Sequence, residues 1–304
     1  HKTLGQRRDR HMTAAITAVL ACLLGSEIGQ TESADAILGR AGFSGGLIVH
    51  VGCGDATVTA DLCATEHTLV QGLDTDKSII EQARVTIRSR GLCEKVSAES
   101  FDGAHLPYID NLVNLLVVSG ADSRLSRQEI LRVLTPGGVA MVHGELIVKQ
   151  WPSDIDQWTH WMYGPNNNAV SNDTEVGISR NLQWIMPPNW GRHHNLVPSM
   201  SIMVSAGGRV YYIIDEAPIS AKGQTDKWSL VCRDAFNGLT LWKRPIENWG
   251  WKRWSTVEFG GVMRFKRPDQ LFRRLVAVGN VVYVTPGFTE PVVALDGATG
   301  ELIR

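Results

Sequence analysis

The feature that most constrains the fold is an apolar run that ends in a glycine-rich turn, "GLIVHVG" (46–52) followed by "CGDAT". The run has the length and branched residues of a strand, and "TVTADLCATE" after the turn can form a helix. Such a turn gathers main-chain N–H groups and a helix N-terminus at one point, which suits phosphates and carboxylates. The sequence therefore predicts a strand, a turn and a helix, with a ligand site at the turn.

The same alternation of strands and helices continues to about Glu145. Predicted strands lie at 69–74, 113–120 and 138–144, with predicted helices at 77–91 and 126–138. Gly91 suits the end of the first of these helices, because a helix C-terminus often needs a positive φ. Strands joined by helices of this length predict a mostly parallel, doubly wound sheet, to which "ELIVKQW" can add one more strand.

After residue 200 the sequence changes to strands and turns. Two segments share the order Asp, small residues, Gly and an apolar strand that ends in a basic residue: "RDAFNGLTLWKR" (233–244) and "LDGATGELIR" (295–304). Each predicts a hairpin in which Asn237-Gly238 or Thr299-Gly300 supplies the positive φ. Repeated hairpins indicate propeller blades. The predicted fold class is multidomain, a Rossmann-like α/β sheet followed by partial β-propeller blades.

Four segments follow from these patterns. We predict a signal-like N-terminus (1–32), an α/β domain (33–148), a Trp-rich linker that leads into the propeller (149–200) and the repeats (201–304), which stop after about two blades as in a truncated chain. The Trp clusters at 190–195 and 249–254 are predicted to pack between blades, with a binding surface as the alternative.

The N-terminus carries an export pattern. Arg7, Arg8 and Arg10 precede an apolar run (14–24), which is the order of a secretory signal. The run is too short to span a bilayer as a mature helix. This predicts an exported, periplasmic or cell-envelope protein. The alternatives are a lipoprotein that begins at Cys22 and a cytoplasmic protein whose N-terminal helix packs on the following domain.

Charge and cysteine usage exclude several classes. The 30 Lys and Arg residues nearly balance the 31 Asp and Glu residues, so the chain has no excess of positive charge for a nucleic-acid backbone. The five cysteines form no CxxC pair and no regular spacing, which argues against a disulfide framework and against a structural zinc site. We expect no metal and no nucleic acid, and an unknown substrate or protein partner for the propeller.

The glycine-rich turn favours an adenosine-type ligand. Gly52 and Gly54 lack the third glycine of a dinucleotide motif. Asp74, at the end of the second predicted strand, stands where an acid can accept the two ribose hydroxyls. The alternative is a tight strand-to-helix turn without a ligand.

Four motifs in order resemble the class I S-adenosylmethionine-dependent methyltransferases: "VHVGCGDAT", "VQGLDTDKSIIEQAR", "FDGAHLPYIDNLVNLLVV" and "LRVLTPGGVAMV". The resemblance implies S-adenosylmethionine as cofactor. It assigns the methionine end to Gly52, Cys53 and Gly54, the ribose to Asp74, and the adenine region to Asp102 and Gly103.

The sequence departs from that family at two acidic positions. His50, which we also expect to line the cofactor, stands where the family usually has an acid, and Asn114 replaces an acid near the start of the fourth strand. The family also normally completes its sheet with two strands after the fifth. No catalytic residue is predicted, and His143 and Glu145 past the fifth strand receive no role.

The C-terminal repeats resemble the pyrroloquinoline-quinone-like β-propeller family through "VSAGGRVYYIIDE", "RDAFNGLTLWKRPI", "LVAVGNVVYVTPG" and "ALDGATGELIR". That resemblance implies the fold alone, because the calcium ligands and stacking Trp of the quinone enzymes are not identifiable here. The first functional hypothesis is a methyltransferase with an appended propeller. A non-catalytic scaffold with a degenerate Rossmann domain is the second, and a quinoprotein dehydrogenase the third.

Overall fold

The computed structural model describes residues 32–120, 124–175, 177–178, 182–187, 200–217, 226–249, 269–287 and 289–304. The signal-like segment up to residue 31, His193 and His194, and most of the Trp cluster at 249–254 lie outside these ranges. Within them, no helix combines the length and the apolar character needed to cross a bilayer.

The first half of the chain forms one six-stranded sheet with helices on both faces. Its strands are β1 (Gly46–Val51), β2 (Thr68–Asp74), β3 (Val96–Ser100), β4 (Val113–Val118), β5 (Leu134–Val142) and β6 (Glu145–Val148). Its helices are α1 (Ala34–Ala41), α2 (Thr57–Asp61), α3 (Lys77–Ser89) and α4 (Arg127–Val133). The strand order is β3-β2-β1-β4-β5-β6, with β1 to β5 parallel and β6 antiparallel to β5. The predicted Rossmann-like sheet is confirmed.

The core lies on both faces of this sheet. Ile48 and Val49, which point to opposite faces of β1, are each 0% exposed. The apolar side of α3 covers one face with Ile80, Ala83 and Ile87. Burial on both faces explains why β1 and β4 are continuous apolar runs rather than alternating ones.

The structure differs from the sequence-based expectation in three elements. Strand β3, "VSAES", was not predicted, because an edge strand with one branched apolar residue gives a weak signal. The helix after the glycine-rich turn ends at Asp61 instead of continuing to Glu66. "LTPGG" belongs to β5 rather than to the end of α4, and Leu134 pairs with Val113.

The second half forms two antiparallel sheets. A four-stranded meander contains β7 (Met200–Ala206), β8 (Arg209–Asp215), β9 (Trp228–Asp234) and β10 (Thr240–Pro245). A three-stranded sheet contains β11 (Leu275–Val278), β12 (Val281–Val284) and β13 (Val293–Asp296). The two sheets share one apolar core. Two antiparallel sheets are thus established, while their assignment as propeller blades stays a prediction. The predicted domain boundaries stay predictions.

The two turns predicted as a repeat have the same hydrogen bonds. Asp234 Oδ1 accepts from the main-chain N–H groups two and three residues downstream, at 2.8 and 2.9 Å. Asp296 Oδ1 does the same, at 2.9 Å for both. Gly238 and Gly300 have φ of 74° and 72°, as expected for these turns. The sequence repeat is therefore a repeat of local geometry.

Each of these turns also holds an indole ring. Trp184 Nε1 donates to Ala235 O at 3.0 Å, and Trp242 Nε1 donates to Gly297 O at 3.0 Å. A Cβ on the turn glycine would lie 2.5 Å from the Trp184 ring in the first turn and 2.7 Å from the Trp242 ring in the second. Glycine is required there both for its φ and for the close approach of the ring.

The antiparallel sheets dock at the amino edge of the parallel sheet. Asn114, in β4, donates through Nδ2 to Asp234 Oδ2 at 2.7 Å. Its Oδ1 accepts from Leu47 N at 2.8 Å and from Asn237 Nδ2 at 2.7 Å. The opposite, carboxyl edge of the sheet holds the predicted ligand site.

Candidate functional site

The carboxyl ends of β1, β2 and β3 bring the predicted cofactor residues to one edge of the sheet. Gly52, Cys53 and Gly54 follow β1, Asp74 ends β2, and Asp102 and Gly103 follow β3. The strand order reverses between β1 and β4, and in open α/β sheets ligands bind in the crevice at such a switch point. The residues predicted to bind a cofactor therefore lie together at this edge, while cofactor binding there stays a prediction.

Gly52 is the first residue of the turn after β1. Its φ is 75°, and a Cβ there would lie 2.6 Å from Gly120 N at the end of β4. Its N–H donates to Leu73 O at 2.8 Å, at the end of β2. Only glycine allows this loop to pass so close to the neighbouring strand.

Cys53 and Gly54 form the turn itself. Cys53 is buried, and burial raises the pKa of its thiol to about 11. The thiol is therefore neutral at physiological pH and is not a nucleophile. Gly54 has φ of 54°, and no described atom outside its chain neighbours lies within 4 Å of the position of a Cβ. This side of the turn is open to a ligand.

Asp74 presents a half-buried carboxylate at the end of β2. Its Oδ1 accepts from Asp76 N at 3.1 Å. Its Oδ2 has no hydrogen bond to the described part of the chain, so it keeps acceptor capacity for a ligand. A carboxylate in this place fits a vicinal diol such as that of ribose.

The loop after β3 holds Asp102 in a network of its own. Asp102 Oδ1 accepts from the N–H groups of Ala104 (2.8 Å) and His105 (2.6 Å). These bonds lower the pKa of Asp102 to about 2, and the carboxylate raises the pKa of His105. A Cβ on Gly103 would lie 3.0 Å from Thr75 Cγ2, so this loop contacts the loop that follows Asp74.

His50 is buried beneath the cleft with both ring nitrogens paired. Nδ1 lies 2.8 Å from Thr59 Oγ1 in α2, and Nε2 lies 2.9 Å from Ser119 Oγ at the end of β4. Burial lowers the pKa of His50 to about 4, against a smaller raising effect of Asp74. The imidazole is neutral at physiological pH. Its two hydrogen bonds connect β1 to α2 and to the end of β4. Its contact with a cofactor stays a prediction.

The rim of the cleft is acidic. The carboxylates of Asp55, Asp74, Asp76 and Asp102 lie at the end of β2 or on the loops after β1, β2 and β3, and three of them are exposed. Hydrogen bonds from Thr57 lower the pKa of Asp55, and those from the Ser78 hydroxyl and main-chain N–H lower the pKa of Asp76. Several carboxylates at one edge favour a ligand that carries positive charge, such as a sulfonium.

The α/β part of the chain is similar to a known protein family. Residues 48–138 match the family model described as a methyltransferase domain. This segment is therefore a methyltransferase-like domain. S-Adenosylmethionine is the cofactor of this domain family, as the sequence predicted.

A curated relative is methyltransferase GfsG of Streptomyces halstedii, which is 29% identical over 117 residues. The match covers 37% of this chain and 42% of the relative, so the chain spans about two-fifths of that protein's length. The family match ends at residue 138, before the two antiparallel sheets begin.

Two solved structures are similar to about a third of the chain. An S-adenosyl-L-methionine-dependent methyltransferase from Methanococcus maripaludis, described as putative, is 24% identical, with 36% of this chain and 52% of that chain covered and a TM-score of 0.34. Geranyl diphosphate C-methyltransferase from Streptomyces coelicolor, in complex with S-adenosyl-L-homocysteine, is 16% identical, with 35% and 41% covered and a TM-score of 0.33.

The hydrogen-bond partners of His50 were not predicted from the sequence. Thr59 lies in the short helix α2, and Ser119 directly follows β4. A polar residue one turn into the helix after a glycine-rich turn is a usable signal, because its side chain faces back toward the strand. The contact with Ser119 depends on the pairing of β1 with β4, which no local pattern encodes.

Proposed function

We propose that the methyltransferase domain binds S-adenosylmethionine at the carboxyl edge of the sheet and transfers its methyl group to an acceptor that enters the cleft. The observation that carries this proposal is the convergence of the Gly52 turn, the half-buried Asp74 carboxylate and the Asp102 loop at the switch point. The acidic rim adds charge complementarity to the sulfonium.

Different residues face different parts of the cofactor. The main chain from Gly52 to Gly54 faces the methionine end, Asp74 accepts from the ribose hydroxyls, and the loop at Asp102 and Gly103 borders the adenine. His50 positions α2 against the end of β4. It does not act as a base, because the pKa of about 4 makes it a poor proton acceptor.

Methyl transfer needs few catalytic groups in such a cleft. The acceptor's electron pair attacks the methyl carbon as the carbon–sulfur bond breaks, and the sulfonium leaves as neutral S-adenosylhomocysteine. The rate comes mainly from holding the acceptor in line with that bond, about 3 to 3.5 Å from the carbon. The domain therefore does not need a dedicated acid or base.

For the second half we propose blades of a β-propeller that bind a partner or substrate. The support is the repeated Asp turn with its docked indole, which occurs at Asp234 with Trp184 and at Asp296 with Trp242. Trp242, in β10, joins the two sheets through this contact, whereas Trp184 joins the segment before the sheets to the first turn. Propeller blades are likewise small antiparallel sheets arranged side by side. Because these sheets dock at the amino edge, their binding surface would work separately from the cofactor cleft.

A second candidate function is a scaffold whose methyltransferase domain is not catalytic. The observation that favours it is His50, a neutral imidazole with both nitrogens paired inside the protein, at a position where the resembling family has an acid. In that case the domain would serve as a platform for the antiparallel sheets, which it holds through Asn114 and Asp234.

Export stays a further proposal that bears on this choice. S-Adenosylmethionine is supplied in the cytosol, so a chain cleaved near residue 32 and exported would favour the scaffold. Mass spectrometry of the mature N-terminus decides it: an intact N-terminus supports the enzyme, and a cleaved one supports the scaffold.

Calorimetric titration of the folded chain with S-adenosylmethionine tests the proposed function. We expect saturable binding, weakened about tenfold or more in Asp74→Asn, which loses a charged acceptor. Asp61→Asn is the matched control, since it removes the same charge from the exposed end of α2. No heat with folded protein would contradict the proposal. Equal affinity in the two variants would contradict the placement of the ribose. Binding without transfer to any acceptor would favour the scaffold.

A further inference from the structure

A cavity of about 160 Å³ lies where the loop at 159–167 meets the residues around the start of β11. It is lined by His160, Trp161, Pro165, Asn167, Arg273 and Val276. None of these residues belongs to the cofactor cleft, and none of them is acidic. An apolar cavity of about 150 Å³ holds one benzene ring, so this space suits a ligand with a single six-membered ring.

The loop on one side of the cavity is braced by its own hydrogen bonds. Ala277 N, in β11, donates to Thr159 O at 3.0 Å and fixes the loop to the second antiparallel sheet. His160 N donates to Tyr163 O at 3.2 Å. Tyr163 OH donates to Asp156 Oδ2 at 2.6 Å. The side chains that this loop presents to the cavity are therefore positioned by the fold itself.

Tyr163 adopts a main-chain conformation that is rare for a bulky residue. Its φ is 69°, in the left-handed region, where the Cβ of an L-residue crowds the following carbonyl oxygen. Hydrogen bonds to its hydroxyl and carbonyl groups hold it there. Main-chain strain of this kind concentrates at ligand sites, where it positions neighbouring side chains.

Trp161 provides a flat apolar wall. Its ring stacks on that of Phe272, with centroids 4.4 Å apart and planes inclined by 14°. Trp158 Nε1 donates to Trp161 O at 3.1 Å and so fixes the main chain beneath the ring. Trp161 is nevertheless 40% exposed, because only one face of its indole is covered by Phe272. The other face can pack against the C–H groups of a ring-shaped ligand.

His160 and Asn167 supply hydrogen-bonding groups. Thr159 Oγ1 donates its one proton to Tyr163 O at 3.1 Å. It therefore accepts from His160 Nδ1–H, at 2.8 Å. In the neutral ring, Nε2 then carries the lone pair, and no atom in the described ranges donates to it. The Asn167 side chain likewise has no hydrogen bond to the described part of the chain. Both groups can accept from the hydroxyl groups of a ligand.

Arg273 supplies the cation. It ends the 3₁₀ helix Asp269–Arg273, directly before β11, and its side chain is exposed. Within the described ranges the guanidinium has no hydrogen bond and no ion pair, and no acidic residue lines the cavity to neutralise its charge. Its donors are therefore available in the fork geometry that suits a carboxylate.

We propose that this cavity binds a uronate, a six-membered sugar ring that carries one carboxylate and several hydroxyl groups. The carboxylate pairs with Arg273, hydroxyl groups donate to His160 Nε2 and to the Asn167 amide, and the C–H face of the ring packs on Trp161. An aromatic carboxylate would leave the imidazole and the amide without partners, and a neutral sugar would leave the guanidinium without one. The site is independent of S-adenosylmethionine binding.

Titration of the 304-residue chain with methyl β-D-glucuronide, by calorimetry and by ligand-observed NMR, tests the proposal. We expect saturable binding with a dissociation constant of about 1 to 10 mM, as a ligand of this size allows. Methyl β-D-glucoside has the same ring without the carboxylate and should bind about tenfold more weakly, because it loses the charge-assisted bonds. Cyclohexanecarboxylate should also bind more weakly, because it has no hydroxyl groups for the imidazole and the amide.

Variants localise the site. Arg273→Gln should weaken glucuronide binding about tenfold, because it removes the charged donor. Arg88→Gln is the matched control, since it removes the same charge from the exposed end of α3 and should leave binding unchanged. Trp161→Leu should weaken binding several-fold, because it removes the flat wall. Circular dichroism checks the folding of each variant.

The proposal is overturned by any of three results. These are no saturable binding up to about 50 mM glucuronide, equal affinity for the glucuronide and either of the two analogues, and equal effects of the two arginine variants. Asp74→Asn, which acts on the cofactor cleft, should leave glucuronide binding intact, so that failure at one site is distinguished from failure at the other.

Discussion

Asn114 Nδ2 donates to Asp234 Oδ2 at 2.7 Å and so joins β4 to the first turn of the antiparallel sheets. In the second repeat the equivalent oxygen of Asp296 accepts from Asn280 Nδ2 at 2.8 Å. Arg209 pairs with Asp234 as Val281 pairs with Asp296, so Gly208 in the first repeat corresponds to Asn280 in the second. The methyltransferase domain thus supplies the amide that the first repeat lacks, which explains why Asn114 replaces the acid expected from the family resemblance.

Asn114→Asp should destabilise the protein and make its stability depend on pH. The new carboxylate would face that of Asp234, which is 6% exposed and whose pKa burial already raises. We expect a loss of about 3 kcal/mol in the free energy of unfolding at pH 7, measured by urea denaturation. The pair has a raised pKa in the folded state, so stability should return as the pH falls toward 5 and one proton is shared.

Asn280→Asp provides the matched comparison, because it places a second carboxylate against Asp296 at an exposed position. Solvent screening should keep its cost to about 1 kcal/mol or less. If the two variants lose the same stability, burial of the Asn114 contact is not what holds the two parts together.

Trp242→Phe should cost about 2 kcal/mol, because it removes the hydrogen bond to Gly297 O and leaves a small cavity in a site that is 4% exposed. Trp184→Phe should act in the same direction, since Trp184 makes the equivalent bond in the first turn. Chemical denaturation of both variants measures this. A change below about 0.5 kcal/mol in Trp242→Phe would show that the indole does not hold neighbouring sheets together.

His50 should make the protein less stable in acid. Its pKa is about 4 in the folded state, because burial disfavours the imidazolium, against 6.5 when unfolded. Between these values the unfolded chain takes up a proton that the folded chain does not, so stability falls as the pH falls, by roughly 3 kcal/mol in all. Urea denaturation from pH 7 to 4.5 should show a shallower fall in His50→Gln. Parallel curves for the two proteins would rule out this titration.

Gly52→Ala and Gly54→Ala should separate steric need from backbone strain. Both positions have positive φ, which costs alanine about 1 kcal/mol. Only at position 52 would the added Cβ meet main chain, 2.6 Å from Gly120 N. We expect Gly52→Ala to lose several-fold more stability than Gly54→Ala in thermal unfolding. Equal losses would mean that the turn after β1 can move away from β4.

Local patterns were sufficient for the elements with a strong apolar signal. The runs that became β1 and β4 are buried almost throughout, β2 is buried at most of its apolar positions, and α3 has the amphipathic spacing of a helix buried on one side. Strand β3 was not predicted, because its pairing with β2 and not its composition makes it a strand. β5 begins earlier than expected because Leu134 already pairs with Val113; the "TPGG" segment is an irregularity, after which the pairing resumes between Leu115 and Val139.

The position of the candidate site was predictable from the sequence, but the hydrogen bonds between its residues were not. Glycine spacing and Asp74 indicated where a ligand would lie, since both depend on positions at strand ends. The pairing of His50 with Thr59 and Ser119, and of Asn114 with Asp234, joins residues far apart in the chain or in different sheets. Such contacts follow from topology and leave no periodic signal in the sequence.

Hydrogen–deuterium exchange of the chain with and without S-adenosylmethionine locates the bound cofactor without requiring an acceptor. We expect slower exchange in the segments after β1, β2 and β3, at 52–57, 74–78 and 101–106, and no change in β7 to β10. Protection confined to the antiparallel sheets, or none at a saturating cofactor concentration, would contradict it.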